Sequence, residues 1–459
     1  MELSLDFASL AEQYRQNSVT PLDVVRTIYK RIDSAGNDGV WISLTPFEAA
    51  LKRARELESL TQLEREKLPL YGIPFNVKDN IDANGLPTTA ACPSFSYLPE
   101  TASPVIDRLL NAGAILIGKT NMDQFATGLV GVRSPYGIPR NPFNAAYIPG
   151  GSSSGAGVSV AAGLVSFAIG TDTGGSGRVP ASYNNLVGIK PSLGLLSSRG
   201  SIPANRSLDC LSIFALTVAD GVAVRRVAEG YDADDPFSRR KPPDTIPSSQ
   251  SFRFAVPEDS FLEFYGDHEN AALFKSSRDL LIELGAEPVP IDYSTFLEIN
   301  SLLFLGPFVA ERASSLRAFP TFDPASLLTV TRTVLDAADT YTARDAFAAL
   351  HRLKTLRRAA EHALADTDFL VVPTTPTIWT LDDVAAHPLE RNFANARYTN
   401  FVNFLDMSAI ALPMGFRSNG LPAGLTLCGP AFSDDRLAVL AERFQRRTHL
   451  PLGATNIYL

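Results

Sequence analysis

The chain has 459 residues, 45% of them hydrophobic and 20% charged, with 41 basic and 49 acidic side chains giving a net charge of −8. That composition is globular rather than disordered or fibrous, and its acidity argues against a polyanionic partner. Three cysteines, Cys92, Cys210 and Cys428, are spaced for neither a metal knuckle nor a disulfide framework, so a reducing compartment, the cytoplasm, is the expected setting.

The opening MELSLDFASLAEQYRQ has early acidic residues and no apolar run flanked by basic ones, so it does not read as a secretory signal. Thr20, Pro21 and Asp23 supply an N-cap, a first-turn proline and an acidic third residue for a helix whose apolar face is Val24, Val25, Ile28 and Ile32. A second helix is predicted over 46–63. The β-rich run 73–77 then delivers Lys78 where strand hands over to loop. Val105, Leu109 and Leu110 lie at helical spacing and 114–117 reads as a buried strand. Strand, helix and strand in that order predict a crossover in a largely parallel sheet.

Residues 141–171 carry no charge, but Pro142, Pro149 and a Gly/Ser-rich middle would leave backbone groups unpaired in lipid, which argues against a membrane span. The stretch instead reads as a glycine/serine loop at 150–155, a small-residue helix at 157–163 and a strand at 165–169, with a second glycine loop at 170–177. Residues 232–251 are polar and proline-rich, predicting a linker or long excursion. A strand at 252–256 and helices at 271–284 and 344–364 follow. In the last, Leu350, Leu353 and Leu356 share a face, with Arg352, Lys354, Arg357 and Arg358 solvated around them. Strands at 369–372, 410–412 and 424–429 precede a final helix at 434–446. Residues 369–430 are expected to rejoin the first sheet, with an insertion over 232–366 lodged in one α/β domain, 1–459, and no separate C-terminal module.

The chemistry should lie in the hydroxyl-dense loops GGSSSG (150–155) and GTDTGGSGR (170–178). A phosphate cradle is a weak reading, because a P-loop needs a lysine at a fixed place that neither loop nor the nearby GIKPS (188–192) provides. A hydroxyl nucleophile needs a base. The five histidines, His268, His351, His362, His387 and His449, lie far downstream and no GxSxG elbow is present, although a spatial partner stays open. Lysine is the alternative, and with a free pKa of about 10.4 it must be desolvated to lose its proton. An apolar strand ending at Lys78 suits that. No metal or organic cofactor is indicated.

These loops resemble the amidase signature family, with Ser152 and Ser176 standing 24 residues apart and GIKP (188–191) following. GIP (72–74), VKD (77–79), GKTNMD (118–123), VPT (372–374) and GLPAG (420–424) extend the resemblance over roughly residues 20–446. It implies an α/β fold with a large mixed or parallel central sheet covered by helices, plus a helical insertion. It also implies a Ser, cis-Ser, Lys triad in which Ser176 is the nucleophile, Ser152 the proton relay after a cis Gly151–Ser152 peptide, and Lys78 the base. Backbone N–H groups of Thr173, Gly174, Gly175 and Ser176 would hold the oxyanion. Asp172 and Arg178 are read as a pair holding that loop, and Ser153, Ser154, Lys119 and Lys190 as structural.

Within the family, segments 128–137, 209–217 and 306–312 look like those of allophanate hydrolases. The resemblance then implies a small-molecule amide substrate bearing a carboxylate, read by the fork of Arg312, with Gly128 as a backbone contact. Arg133 and Tyr136 equally suit support of their loop. Phe304 stands where many of those enzymes have a tyrosine as a second carboxylate contact. A homodimer with no nucleic-acid or membrane partner, serving urea or cyanuric-acid catabolism, is implied. The alternatives are the amidase subunit of a tRNA-dependent amidotransferase or a general small-amide amidase.

Overall fold

In the computed structural model, which describes residues 3–243 and 252–459, the first amphipathic segment forms the helix Pro21–Ala35. Thr20 and Asp23 exchange bonds in a capping box, Pro21 occupies the first turn, and Val24, Val25, Ile28 and Ile32 are buried. The second expected helix is broken into Phe47–Glu58 and Gln62–Arg65. Thr61 makes its own capping box with Glu64 and so starts a fresh turn.

Eleven strands form one sheet: β1 (Trp41–Leu44), β2 (Pro74–Lys78), β3 (Ile115–Thr120), β4 (Phe167–Thr171), β5 (Val187–Lys190), β6 (Leu211–Ala215), β7 (Phe252–Pro257), β8 (Ala286–Ile291), β9 (Phe369–Pro373), β10 (Ser408–Phe416) and β11 (Pro422–Gly429). Their spatial order is β1-β3-β2-β4-β6-β5-β10-β11-β9-β7-β8. β2 runs parallel to both β3 and β4, and the helix Pro104–Asn111 makes the crossover that the apolar pattern predicts. The centre is antiparallel from β4 through β6, β5, β10 and β11 to β9, so the sheet is mixed. The C-terminal strands rejoin it through β10 beside β5.

Residues expected inside an insertion add β7 and β8 to the sheet, parallel to each other and to β9. β8 escapes a pattern reading because Pro288 and Pro290 interrupt it, which an edge strand tolerates. The helices Ser294–Leu305, Phe308–Arg317, Thr329–Asp336 and Ala343–Ala363 follow. In the last, the buried stripe is Ala349, Leu353, Leu356 and Ala360, which leaves Leu350 46% exposed rather than on the packed face. The polar segment from 232 is not a free linker in its described part. Asp232 and Asp235 are buried and accept hydrogen bonds from Ser197, and Asp232 pairs with Arg199. Residues 244–251 of that expected linker lie outside the described residues.

β2 and β4 are buried along their whole length, as parallel strands under cover usually are. Phe75 of β2 stacks on Phe167 of β4 at 5.0 Å. The two strands end side by side at Lys78 and Thr171, and the carboxyl ends of parallel strands are where an open sheet leaves room for a site.

Candidate active site

Lys78 is fully buried at the end of β2. Its Nζ lies 2.7 Å from Thr171 Oγ1 and 2.7 Å from Ser152 Oγ. Ser152 Oγ in turn lies 2.9 Å from Ser176 Oγ. Ser152 follows a cis Gly151–Ser152 peptide and is separated from the helix Ser154–Ala161 by the N-cap residue Ser153. Its backbone is tied down by Asp123 N, which donates to Ser152 O at 3.0 Å. That helix can approach so closely because it is built from small residues: a Cβ on Gly155 would lie 2.5 Å from the Val40 carbonyl oxygen.

Burial lowers the Lys78 amine from 10.5 to about 7, while the carboxylates of Asp123, Asp172 and Asp209 act the other way and Arg312 adds to the lowering. All five histidines are exposed, whereas Ser152 and Ser176 are buried, so lysine is the base candidate that the geometry brings to the hydroxyls. The arrangement is a three-atom line along which a proton can pass from a serine hydroxyl to an amine that is about half neutral at pH 7.

The loop from Asp172 to Arg178 is held by a buried, two-point ion pair, Arg178 Nε to Asp172 Oδ2 and Nη2 to Oδ1, both 2.9 Å. Burial alone would raise the Asp172 carboxyl, but Arg178 holds it below its usual range. The same carboxylate accepts the N–H groups of Gly175 at 2.7 Å and Gly177 at 3.1 Å. This corrects one sequence expectation, because the Gly175 N–H is spent on Asp172 and is not a spare oxyanion donor. The N–H groups of Thr173, Gly174 and Ser176 have no hydrogen-bond partner among the described residues. Gly175 is required for another reason: its φ is +132° and a Cβ there would lie 2.5 Å from Thr399 Oγ1.

Further polar side chains fix this loop. Thr173 Oγ1 donates to Asp209 Oδ1 at 2.5 Å, and Asp209 also accepts from the N–H groups of Ala204 and Asn205. Burial pushes the Asp209 carboxyl up to about 6, partly offset by those bonds and by Arg312. Thr399 Oγ1 donates to the Gly174 carbonyl, and Asn403 Nδ2 to the Asp172 carbonyl. Sequence reasoning gave no part in the site to Asp123, Thr171, Asp209, Thr399 or Asn403.

Arg312 is buried on the helix Phe308–Arg317, within electrostatic reach of Lys78. Its Nε donates to Asn205 Oδ1 at 3.1 Å, and its Nη1 donates to the Ala126 carbonyl and Thr127 Oγ1, each at 3.0 Å. These neutral acceptors orient the guanidinium without neutralising it, and among the described residues no carboxylate lies within 4.0 Å of it. Burial lowers its pKa to about 10, so it keeps its charge at neutral pH. Phe304 places its ring 5.6 Å from the guanidinium carbon. Gly128 follows the Ala126–Thr127 anchor, a Cβ there would lie 2.7 Å from Asp123 Oδ2, and its carbonyl accepts no bond among the described residues.

The remaining residues singled out in the sequence have structural partners. Arg133 donates to the carbonyls of Thr127 and Pro388, and the Tyr136 N–H donates to Ser134 Oγ. Ser153 donates to the Thr171 carbonyl and Ser154 to that of Asn121. Lys119 bonds Pro87 and Thr88 and lies 3.4 Å from Asp79, while Lys190 bonds the carbonyls of Pro191 and Met407. Among the described residues, no group of three or more His, Cys, Asp or Glu side chains could hold a metal ion, and no helix is long and apolar enough to cross a membrane.

The profile of the family described as Amidase matches residues 23–438. The chain is 42% identical over 432 residues to a urea amidolyase of Saccharomyces cerevisiae, covering 93% of this chain and 23% of that protein. It spans about a quarter of the length of the curated urea amidolyases it matches. The solved structure of an allophanate hydrolase from Kluyveromyces lactis superposes with a TM-score of 0.90 at 41% identity, covering 97% of this chain and 73% of that one. One of the subunits of glutamyl-tRNA(Gln) amidotransferase from Prochlorococcus marinus is 32% identical over 474 residues, covering 96% of this chain and 97% of its own.

Proposed function

The chain belongs to the amidase family, and from that premise we propose that it hydrolyses a small anionic amide, allophanate, to N-carboxycarbamate and ammonia. The observation that carries this reading is the buried line from Lys78 through Ser152 to Ser176, with steps of 2.7 and 2.9 Å. Ser176 Oγ attacks the carbamoyl carbon, its proton passing to Ser152 while that of Ser152 passes to neutral Lys78. The tetrahedral oxyanion is met by the N–H groups of Thr173, Gly174 and Ser176. Collapse breaks the carbon–nitrogen bond as the proton returns along the line to the leaving nitrogen, releasing ammonia. Water then attacks the acyl-enzyme, giving up its proton by the same route, and frees Ser176.

The buried guanidinium of Arg312, which makes no ion pair within 4.0 Å among the described residues, supports a carboxylate on the substrate, and the Gly128 carbonyl, without a partner among the described residues, supports a contact to a substrate N–H. Phe304 supplies an apolar ring at the carboxylate end, so Arg312 bears that recognition without a tyrosine hydroxyl. The similarity to urea amidolyase supports a role in urea nitrogen catabolism; the family resemblance supports cyanuric-acid catabolism as the alternative and a homodimer, and the cysteine usage supports a cytoplasmic setting.

A second reading, the amidase component of a tRNA-dependent amidotransferase, is favoured by end-to-end similarity to such a protein. A substrate panel on the chain alone separates the two. Ammonia release from allophanate without partner subunits supports the first; glutaminase activity that appears only in a complex supports the second. In the same panel, Ser176→Ala abolishes turnover, and Arg312→Ala lowers kcat/KM for allophanate by about tenfold to a hundredfold, the worth of a charge-assisted bond. Unchanged allophanate kinetics in Arg312→Ala would remove the carboxylate assignment.

A further inference from the structure

The three side-chain nitrogens of Arg312 are unequally served. Nε donates to Asn205 Oδ1 at 3.1 Å and Nη1 to the Ala126 carbonyl and Thr127 Oγ1, whereas Nη2 has no hydrogen-bond partner among the described residues. Arg312 keeps 2% of its surface accessible, and Nη2 is not one of the unpartnered polar atoms sealed from solvent, so it faces a space that a ligand can enter. Because the guanidinium is planar, holding Nε and Nη1 also fixes where Nη2 points.

Asn205 is 0% exposed and has both amide atoms engaged. Its Oδ1 takes the Arg312 Nε–H, and its Nδ2 donates to the Phe308 carbonyl at 2.7 Å and lies 3.5 Å from Glu311 Oε2. Turning the amide over would set donor against donor at Arg312 and oxygen against oxygen at Phe308, so this orientation is fixed. The neutral amide therefore stands between the Glu311 carboxylate and the Arg312 guanidinium. Two carboxylates act on Arg312 through space, Asp209 and Glu311, and both are turned to other donors. Glu311 accepts from the N–H and hydroxyl of Ser207, and Asp209 from Thr173 Oγ1 and the N–H groups of Ala204 and Asn205. Through Asp209 the same short segment ties Arg312 to the oxyanion loop at Thr173.

Resting on the functional reading above, we propose that Asn205 is a positioning residue for substrate recognition: its neutral amide aims the Arg312 guanidinium and separates it from Glu311, so that the positive charge is left for the substrate carboxylate. A buried arginine is most readily balanced by a carboxylate, as Asp172 balances Arg178. At position 205 a carboxylate would give Nε the same acceptor oxygen while cancelling the charge that reads the substrate. An amide orients the guanidinium without cancelling it.

The test measures ammonia release from malonamate, in which a methylene replaces the central nitrogen of allophanate. Asn205→Asp should raise KM by about tenfold or more with kcat within about threefold of wild type, because the carboxylate contact is made equally in the ground and transition states. Asn205→Ala, which removes the aim without adding charge, should lower kcat/KM by about threefold to tenfold, and in an Arg312→Ala background by less than about twofold, because its effect passes through the guanidinium. An unchanged KM in Asn205→Asp, or a loss from Asn205→Ala that is equal in both backgrounds, overturns the inference; a merely structural asparagine would give that equal loss. Should Asn205→Asp fail to fold, the Asn205→Ala comparison decides alone: a loss confined to chains that keep Arg312 supports the inference, and an equal loss or none overturns it. A wild-type chain that releases ammonia from neither malonamate nor allophanate would strike the functional reading, not Asn205.

Discussion

As the proposed base, the deeply buried Lys78 should write its titration into the pH dependence of the reaction. Only the neutral amine can accept a proton, and burial lowers its pKa from 10.5 to about 7. The neutral fraction is then about 1% at pH 5, half at pH 7 and about 90% at pH 8, whereas an unshifted lysine would be only about 0.3% neutral at pH 8. So kcat/KM should rise about tenfold per pH unit below 7 and level off above it. The assay is ammonia release from malonamate, whose carboxylate stays ionised, between about pH 5 and about pH 9 at constant ionic strength. Asp209→Asn removes one of the carboxylates that favour the charged amine, and the rising limb should move to lower pH. Stability carries the same signature: between about pH 7 and 10.5 the unfolded chain binds a proton that the folded Lys78 does not, so stability rises with pH across that window. Lys78→Met should lose that rise. A limb still climbing at pH 9, or a flat profile, would refute the assignment.

Two perturbations test the loop that presents Ser176. Arg178→Met strands the Asp172 carboxylate in a fully buried position and should destabilise the chain by about 3–5 kcal/mol in urea unfolding; a loss under about 1 kcal/mol would mean the pair does not hold the loop. Gly175→Ala places a Cβ 2.5 Å from Thr399 Oγ1 at a φ of +132°, so the loop must shift. It should lower kcat by about 10²–10³, the worth of an oxyanion donor, with far-ultraviolet circular dichroism unchanged; near-normal kcat would mean the loop's conformation does not set the rate.

The parts of the fold legible in the sequence are those where an apolar run is short, continuous and bounded. β2, β3, β4 and the C-terminal strands answer to that description, and each forms near its expected place. Elsewhere a local signal is overruled by a neighbouring one. The helix expected over 46–63 stops at Glu58 because Thr61 caps a new turn, and the expected exposed linker beginning at 232 is pinned by Ser197 and Arg199, whose hydroxyl and guanidinium no hydropathy pattern records. β8 is hidden by two prolines that only its edge position permits.

The site divides along the same line. Lys78, Ser152 and Ser176 stand in short motifs whose glycines and hydroxyls have few other uses, so they could be found from the chain alone. The groups that orient them come from far away in sequence and are common polar residues. A usable signal nevertheless lay in the helix Asn400–Phe404, where two asparagines interrupt an apolar run and both are buried. A buried asparagine amide needs partners, and Asn403 finds three, donating to the carbonyls of Asp172 and Leu208 and accepting from Arg178. Asn403 is thereby accounted for by holding the loop. Asn400, three residues earlier, donates its Nδ2 to the Asn300 carbonyl at 2.9 Å and so ties this helix to Ser294–Leu305. An apolar residue there would remove that bond between two helices, so the polar side chain is accounted for by packing alone.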